Sequence, residues 1–332
     1  MHTKIPMNKI LVTGATGCIG SNLIIELMHR GYSVRAFHRS ISNSITLKGV
    51  NVEHYLGDIL DTSSLCEAIS GCDVVVHAAA LVTFWKRKRD EQFKINVLGT
   101  RNVIDCCIKQ NVKKLLHVST IATLGYRKDN NLIDESSQYN WGERYSYRYT
   151  KYLAELEVLK GVDKGLDATI VNPSIIIGPR DIHAHGGTII IGVKLGRIPF
   201  YPKGGINIVN VHDVVQGIIS AIRLGRKGER YILGGFNMTT KEVFQLTANV
   251  LKGKAPKIGV PNWLVKSSAV VSEVFGVITR TNPPLTTDLA AAVGLLNWYS
   301  IEKAEKELGY KRTSIETAIL EAYNWYKENG MI

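Results

Sequence analysis

Apolar residues in the first half of the chain follow two alternating rhythms. Six short runs rich in β-branched residues predict strands: Ile10-Leu11-Val12, Val34-Arg35-Ala36-Phe37, Val50 to Tyr55, Asp73-Val74-Val75-Val76-His77, Lys114-Leu115-Leu116-His117-Val118 and Ala168-Thr169-Ile170-Val171. Between them apolar positions recur at helical spacing. One such segment ends near Gly31, and others cover Leu60 to Ile69, Asp90 to Gln110 and Tyr147 to Lys160. Strands that alternate with helices predict an α/β fold, a doubly wound parallel sheet with helices on both faces.

After Pro179 the rhythm breaks. The stretch from Arg180 to Asn207 holds the glycine pairs Gly186-Gly187 and Gly204-Gly205 and reads as loops with one helix. A further unit follows, with helix Val211 to Leu224 and strand Tyr231-Ile232-Leu233. The rest is mostly helical, closing with Ile301 to Leu308 and Ile315 to Asn329. The chain therefore divides into a nucleotide-binding lobe, 7–179 rejoined by 206–235, and a smaller interleaved substrate-binding cap, 180–205 with 236–332.

The nucleotide-binding expectation rests on Gly14-Ala15-Thr16-Gly17-Cys18-Ile19-Gly20, between the first strand and its helix. Glycines at this turn let the backbone approach a pyrophosphate, which then sits at the positive end of the helix. The spacing is GxxGxxG, a relative of the GxGxxG fingerprint. Thr16, Cys18 and Ile19 lie within the same turn and join the three glycines as candidate cofactor contacts. The second strand continues as His38-Arg39-Ser40 with no acidic residue, where a site preferring NAD(H) usually places an acid for the ribose hydroxyls. Arg35 and Arg39 are there instead, and arginine forms forked contacts with phosphate, so NADP(H) is expected over NAD(H).

Tyr147 and Lys151 stand four residues apart on one helix face. A free phenol, with a pKa of about 10, is a poor base at neutral pH, and a nearby ammonium should lower that value. Such a pair can move a proton at a carbonyl or hydroxyl oxygen while nicotinamide exchanges a hydride. The fifth strand ends in Ser119-Thr120, at the sheet edge where ligands bind, and offers a second hydroxyl.

Taken together, these pieces resemble the extended short-chain dehydrogenases/reductases, the NAD(P)-dependent epimerase/dehydratase family, over nearly the full length. Other matching motifs are Gly57-Asp58-Ile59, His77-Ala78-Ala79-Ala80, Asn96-Val97-x-Gly99-Thr100 and Asn172-Pro173-Ser174-x-x-x-Gly178-Pro179. The texture is most similar to dihydroflavonol-reductase-like and 3β-hydroxysteroid-dehydrogenase-like members. The resemblance implies a Rossmann-type fold, with Tyr147 as proton donor or acceptor and Lys151 on the nicotinamide ribose. It aligns the catalytic hydroxyl with Thr120, with Ser119 disputing the role. It further implies Asp58 and Ile59 at the adenine, and Ala78, Ala79 and Ala80 along the cofactor backbone. Pro173, Ser174 and Ile175 fall on the nicotinamide side, Asn172 in the same cofactor motif, and Arg39 on the 2′-phosphate. Asn96 is either a site residue or a helix brace. The family often pairs the helices that here span Asp90 to Gln110 and Tyr147 to Lys160, so a homodimer is an expected partner state.

Composition narrows the field. With 332 residues, 45% of them hydrophobic, the chain can build a large core without disulfide or metal support. Lys and Arg number 41 against 29 acidic residues, a formal charge of +12 that invites nucleic acid, membrane or anionic ligands. The run Lys86-Arg87-Lys88-Arg89 reads first as a solvated charge run, then as attraction for an anionic cofactor or substrate; no nucleic-acid partner is expected. Five cysteines without a CxxC pair read as reduced thiols in a cytoplasmic protein. Lys4 and Lys9 precede an apolar run that mimics a signal peptide, but its regular glycines argue otherwise. No segment reads as a membrane span. Trp263 to Thr279, apolar on much of its surface, is expected to pack within the cap, ahead of covering a hydrophobic substrate or touching a membrane. His183 and His185 are read as substrate-loop residues, and no metal site is expected.

The expected function is an NADP(H)-dependent oxidoreductase that interconverts a carbonyl and a secondary alcohol on a small organic substrate. One alternative is a nucleotide-sugar epimerase that retains NAD(P). Against it, Ile121-Ala122 replaces the acidic pair of sugar dehydratases, and the second strand lacks an acidic end. Another alternative is a non-catalytic dinucleotide sensor, which would have no need of the Tyr147–Lys151 pair.

Overall fold

A computed structural model describes residues 9–39, 44–129 and 131–332, so Lys4, Ser40 and the first two residues of the nucleotide-binding lobe lie outside the described residues. The first lobe runs β1 (Lys9–Thr13), α1 (Cys18–His29), β2 (Ser33–His38), β3 (Glu53–Leu56), α2 (Thr62–Ile69) and β4 (Val74–His77). It continues with α3 (Arg89–Phe93), α4 (Gly99–Lys109), β5 (Lys114–Val118), α5 (Ser146–Asp163), β6 (Ala168–Pro173) and β7 (Ile175–Ile177). Next come α6 (Gly187–Lys194), β8 (Phe200–Pro202), β9 (Gly205–Asn210), α7 (Val211–Leu224), β10 (Arg230–Leu233) and β11 (Phe236–Thr239). The chain ends with α8 (Thr240–Leu251), β12 (Ile258–Val260), α9 (Asn262–Thr279), α10 (Thr287–Ala291), α11 (Glu302–Leu308) and α12 (Ile315–Glu328).

Seven strands form one parallel sheet in the order β10-β6-β5-β4-β1-β2-β3. This is the Rossmann-like α/β architecture. Its strands are apolar on both faces because both faces are covered: Ile10, Leu11, Val12, Val74, Val75 and Val76 are all buried. One apolar core lies beneath α1, α7 and α11, the other beneath α2, α4 and α5. Strand order reverses between β1 and β4, which opens a crevice at their carboxyl ends.

β6 ends at Pro173, and the chain then leaves the main sheet for a smaller one of order β11-β9-β7. Helices α6, α8 and α12 pack on it around Ile177, Ile190, Ile208, Val243 and Ile319. The stretch expected to hold loops and one helix thus also contains β8 and the first half of β9. β8 pairs in parallel with β12.

Several expectations change. The third strand starts at Glu53 rather than Val50, because a turn bonds the Val50 N–H to the Leu47 carbonyl. The helix expected from Asp90 to Gln110 is α3 and α4 joined by a wider π turn, Lys94–Leu98. The cysteines are not all thiols: Cys66 and Cys106 form a disulfide, because α2 and α4 pack side by side and bring their Cα atoms within 5.0 Å. Along α9 only Ala269 and Gly276 are buried, so this helix does not pack its apolar side into the cap.

Candidate active site

The crevice is a cavity of about 760 Å³ that reaches from the β1–α1 turn to the cap. Gly14 has φ +67°, and a Cβ there would lie 2.7 Å from the backbone of Ala78 and Ala79. The turn is therefore pressed against the end of β4. A Cβ at Gly20 would strike the Gly14 carbonyl, so α1 packs as closely as glycine allows. Gly17 differs: a Cβ there would meet only the Gly14 carbonyl oxygen, at 3.3 Å, leaving its backbone bare toward the cavity. No side chain caps the first-turn N–H groups of α1. A bare glycine backbone at an uncapped helix N-terminus fits a dinucleotide pyrophosphate.

Thr16, Cys18, Ile19, Arg39, Asp58, Ile59, Ala78, Ala79, Ala80, Pro173, Ser174 and Ile175 line the same cavity. Arg39 is exposed at the end of β2. Arg35 points away: it donates to Glu53 at 2.9 Å and to the Ser70 carbonyl at 3.2 Å, so it is committed elsewhere. Asp58 accepts the Leu60 N–H at 2.9 Å, which shapes the turn after β3. Asn172 does not reach the cavity. Its amide is buried beneath the site and donates to the Thr120 carbonyl at 3.0 Å and to Glu155 at 2.7 Å. Asn96 acts as a brace, accepting the Leu81 N–H at 2.8 Å and donating to Thr150 at 3.1 Å. The π turn carries it there.

Tyr147, Lys151, Ser119 and Thr120 converge on the cavity. Lys151 is 3% exposed and donates to the Val118 carbonyl at 2.9 Å. Burial pushes its ammonium down to about 8, and Glu155 opposes that shift. The Tyr147 phenol does not follow the expected lowering by lysine. Burial raises it, and the Thr120 hydroxyl and Arg148 only partly offset the rise. The two hydroxyls of β5 also separate. Ser119 turns down to the buried Glu155 carboxylate, which Thr123 and Asn172 also contact, whereas Thr120 accepts the Ala122 N–H at 3.3 Å and its hydroxyl offsets part of the rise at Tyr147. Beneath them His77 bridges Thr13 at 2.8 Å and Thr100 at 3.0 Å, and burial pushes it down to about 3.

Residues without a sequence signal complete the walls. Phe84 meets the Tyr147 ring edge-on, with centroids 5.2 Å apart. Trp141, Leu289, Val293, Leu295 and Tyr299 line the cavity as well, together with the polar Lys203, Asn207 and Asn297. They come from a loop before α5, from β9 and from the cap, where no periodicity marks a wall. His183 and His185 also line the cavity, and no cluster of three metal-ligand side chains exists among the described residues. Arg148 is buried against Asp288 of α10 and lies 4.5 Å from the Trp141 ring centroid.

A sequence model described as the NAD dependent epimerase/dehydratase family matches residues 10–234. The chain belongs to this family. A Synechocystis protein named as a dihydroflavonol 4-reductase is 33% identical, covering 97% of this chain and 95% of its own. Sterol demethylase protein B of Methylococcus capsulatus is 30% identical over 97% of this chain and 99% of its own. The crystal structure of gox2253 superimposes with a TM-score of 0.85 at 34% identity, covering 98% and 99% of the two chains. Other members related to this chain bear the names of reductases and dehydrogenases. With them, this chain is an NAD(P)-dependent oxidoreductase of the extended short-chain dehydrogenase/reductase family.

Proposed function

We propose that the enzyme interconverts a carbonyl and a secondary alcohol on an apolar organic substrate, with NADP(H) as cofactor. One observation carries this reading: Tyr147, Thr120 and Lys151 open into the same cavity as the glycine turn, and the larger part of that cavity's lining is apolar, with Phe84 set against the Tyr147 ring. A nicotinamide cofactor bound there would supply or accept the hydride. Tyr147, held protonated by burial, gives its proton to the carbonyl oxygen as charge builds on it. Thr120, on the same cavity wall as Tyr147, holds that oxygen in line, and the buried Lys151 charge stabilises the phenolate that Tyr147 becomes. Phe84, Trp141 and Leu289 exclude water from the reacting carbon. In the alcohol-oxidising direction the same proton returns to Tyr147.

Tyr147→Phe should retain NADPH binding and lose turnover by about 10²-fold or more. Unchanged turnover would refute the mechanism. The exposed guanidinium of Arg39 supports the NADP(H) preference, so Arg39→Ser should raise KM for NADPH while leaving that for NADH nearly level. An equal effect on both cofactors would count against it. Net loss of NADPH absorbance on turnover separates this activity from an epimerase, which consumes none.

A further inference from the structure

We propose that α9 is an interfacial anchor that docks the cap onto an anionic lipid bilayer. A surface helix normally turns its apolar stripe inward. α9 does the reverse. At helical spacing, its buried or half-buried positions Asn262, Val265, Ala269, Ser272, Glu273 and Gly276 form one face of mostly small or polar residues. The opposite arc carries Trp263 at 67% exposure, Val271 at 69%, Phe275 at 65% and Ile278 at 74%. An exposed apolar arc of this breadth marks a surface with a partner.

Charge chooses the partner. From 252 to 280 the chain holds Lys252, Lys254, Lys257, Lys266 and Arg280 against the single acid Glu273. Glu273 faces inward, accepting the Thr287 N–H at 2.9 Å and pairing with Lys86 at 3.3 Å. That pair brings the Lys86–Arg89 cation run beside the helix. Apolar side chains flanked by lysine and arginine suit an anionic lipid surface. A second copy of the chain would set like charges against each other across a two-fold axis. No helix among the described residues is long and apolar enough to cross a membrane, so α9 lies on the bilayer rather than through it.

The position has a consequence for the substrate, which rests on the function proposed above. α10 packs on α9 through the Glu273–Thr287 bonds, and its Leu289 lines the cavity. Docking would set the cavity wall next to the lipid, from which a lipophilic carbonyl compound would enter.

The test is co-sedimentation of the full chain with vesicles of phosphatidylcholine and phosphatidylglycerol, and with phosphatidylcholine alone. The expected result is binding that favours the anionic vesicles and weakens at high salt. The triple variant Val271→Asp, Phe275→Asp, Ile278→Asp should partition at least about tenfold less, and Lys257→Glu with Lys266→Glu should lose the anionic preference. All three positions of the triple variant are solvent-facing, so circular dichroism and turnover of a water-soluble ketone should be unchanged. Absence of vesicle binding, or equal binding by the triple variant, overturns the proposal. A dimer abolished by the triple variant, without vesicle binding, assigns the face to a second copy and also overturns it. Vesicle binding is read without turnover, so a failure of the carbonyl-reducing assignment would leave this result distinct.

Discussion

Tyr147 and Lys151 move in opposite directions from their ordinary values for the same reason: each is costly to charge away from water. For reduction the useful states are a protonated phenol and a charged ammonium. The phenol is raised above 10, so it stays protonated through neutral pH, whereas Lys151 loses its charge through about 8. The rate of carbonyl reduction should therefore be level up to near pH 7 and fall with one proton above about 8. Lys151→Arg should move that fall to higher pH, and a pH profile of kcat/KM checks both. The neighbouring hydroxyls also predict separate fates. Thr120→Val should lose turnover by about 10²-fold. Ser119→Ala should keep most of it but cost about 1–3 kcal/mol of stability, because it leaves the buried Glu155 carboxylate one donor short.

At the level of elements, α2 and α4 are joined by Cys66–Cys106 across 40 residues of chain. Closing a loop of that length in the unfolded state is worth about 4 kcal/mol. Reduction should lower Tm accordingly in a thermal melt. Thiol titration of the denatured, unreduced protein should count three groups, Cys18, Cys72 and Cys107. A count of five would remove the bridge. The same sequence region shows how far local pattern reaches. Helical spacing from Asp90 to Gln110 set Cys106 on a helix, but a pairing between two helices is a contact that no local spacing encodes.

Across the whole molecule, the lobes are clamped by the buried pair Arg148–Asp288, which joins α5 to α10 of the cap. Removing one member leaves the other charge buried without its partner. Asp288→Ala should cost about 3–5 kcal/mol in a denaturant titration, and Arg148→Met with Asp288→Leu should recover much of it. Leu289 follows Asp288 on α10 and lines the cavity, so the single variant should also raise KM for the carbonyl substrate.

The chain alone determined the layered sheet, the glycine turn and the Tyr147–Lys151 pair, because each is a short-range pattern: continuous apolar runs, a tight turn, one helical step. Helix α7 was legible to its end residues for the same reason, with Asn210 capping its start. Only the folded structure separated Thr120 from Ser119, since the buried Glu155 that claims Ser119 lies 36 positions away. Only the fold withdrew Asn172 beneath the cavity and turned Arg35 to Glu53 and the end of α2, through partners distant in sequence. The cavity wall and the outward apolar face of α9 follow the same rule. Apolar residues at helical spacing reveal a helix, but which side meets the protein depends on what tertiary packing places against it.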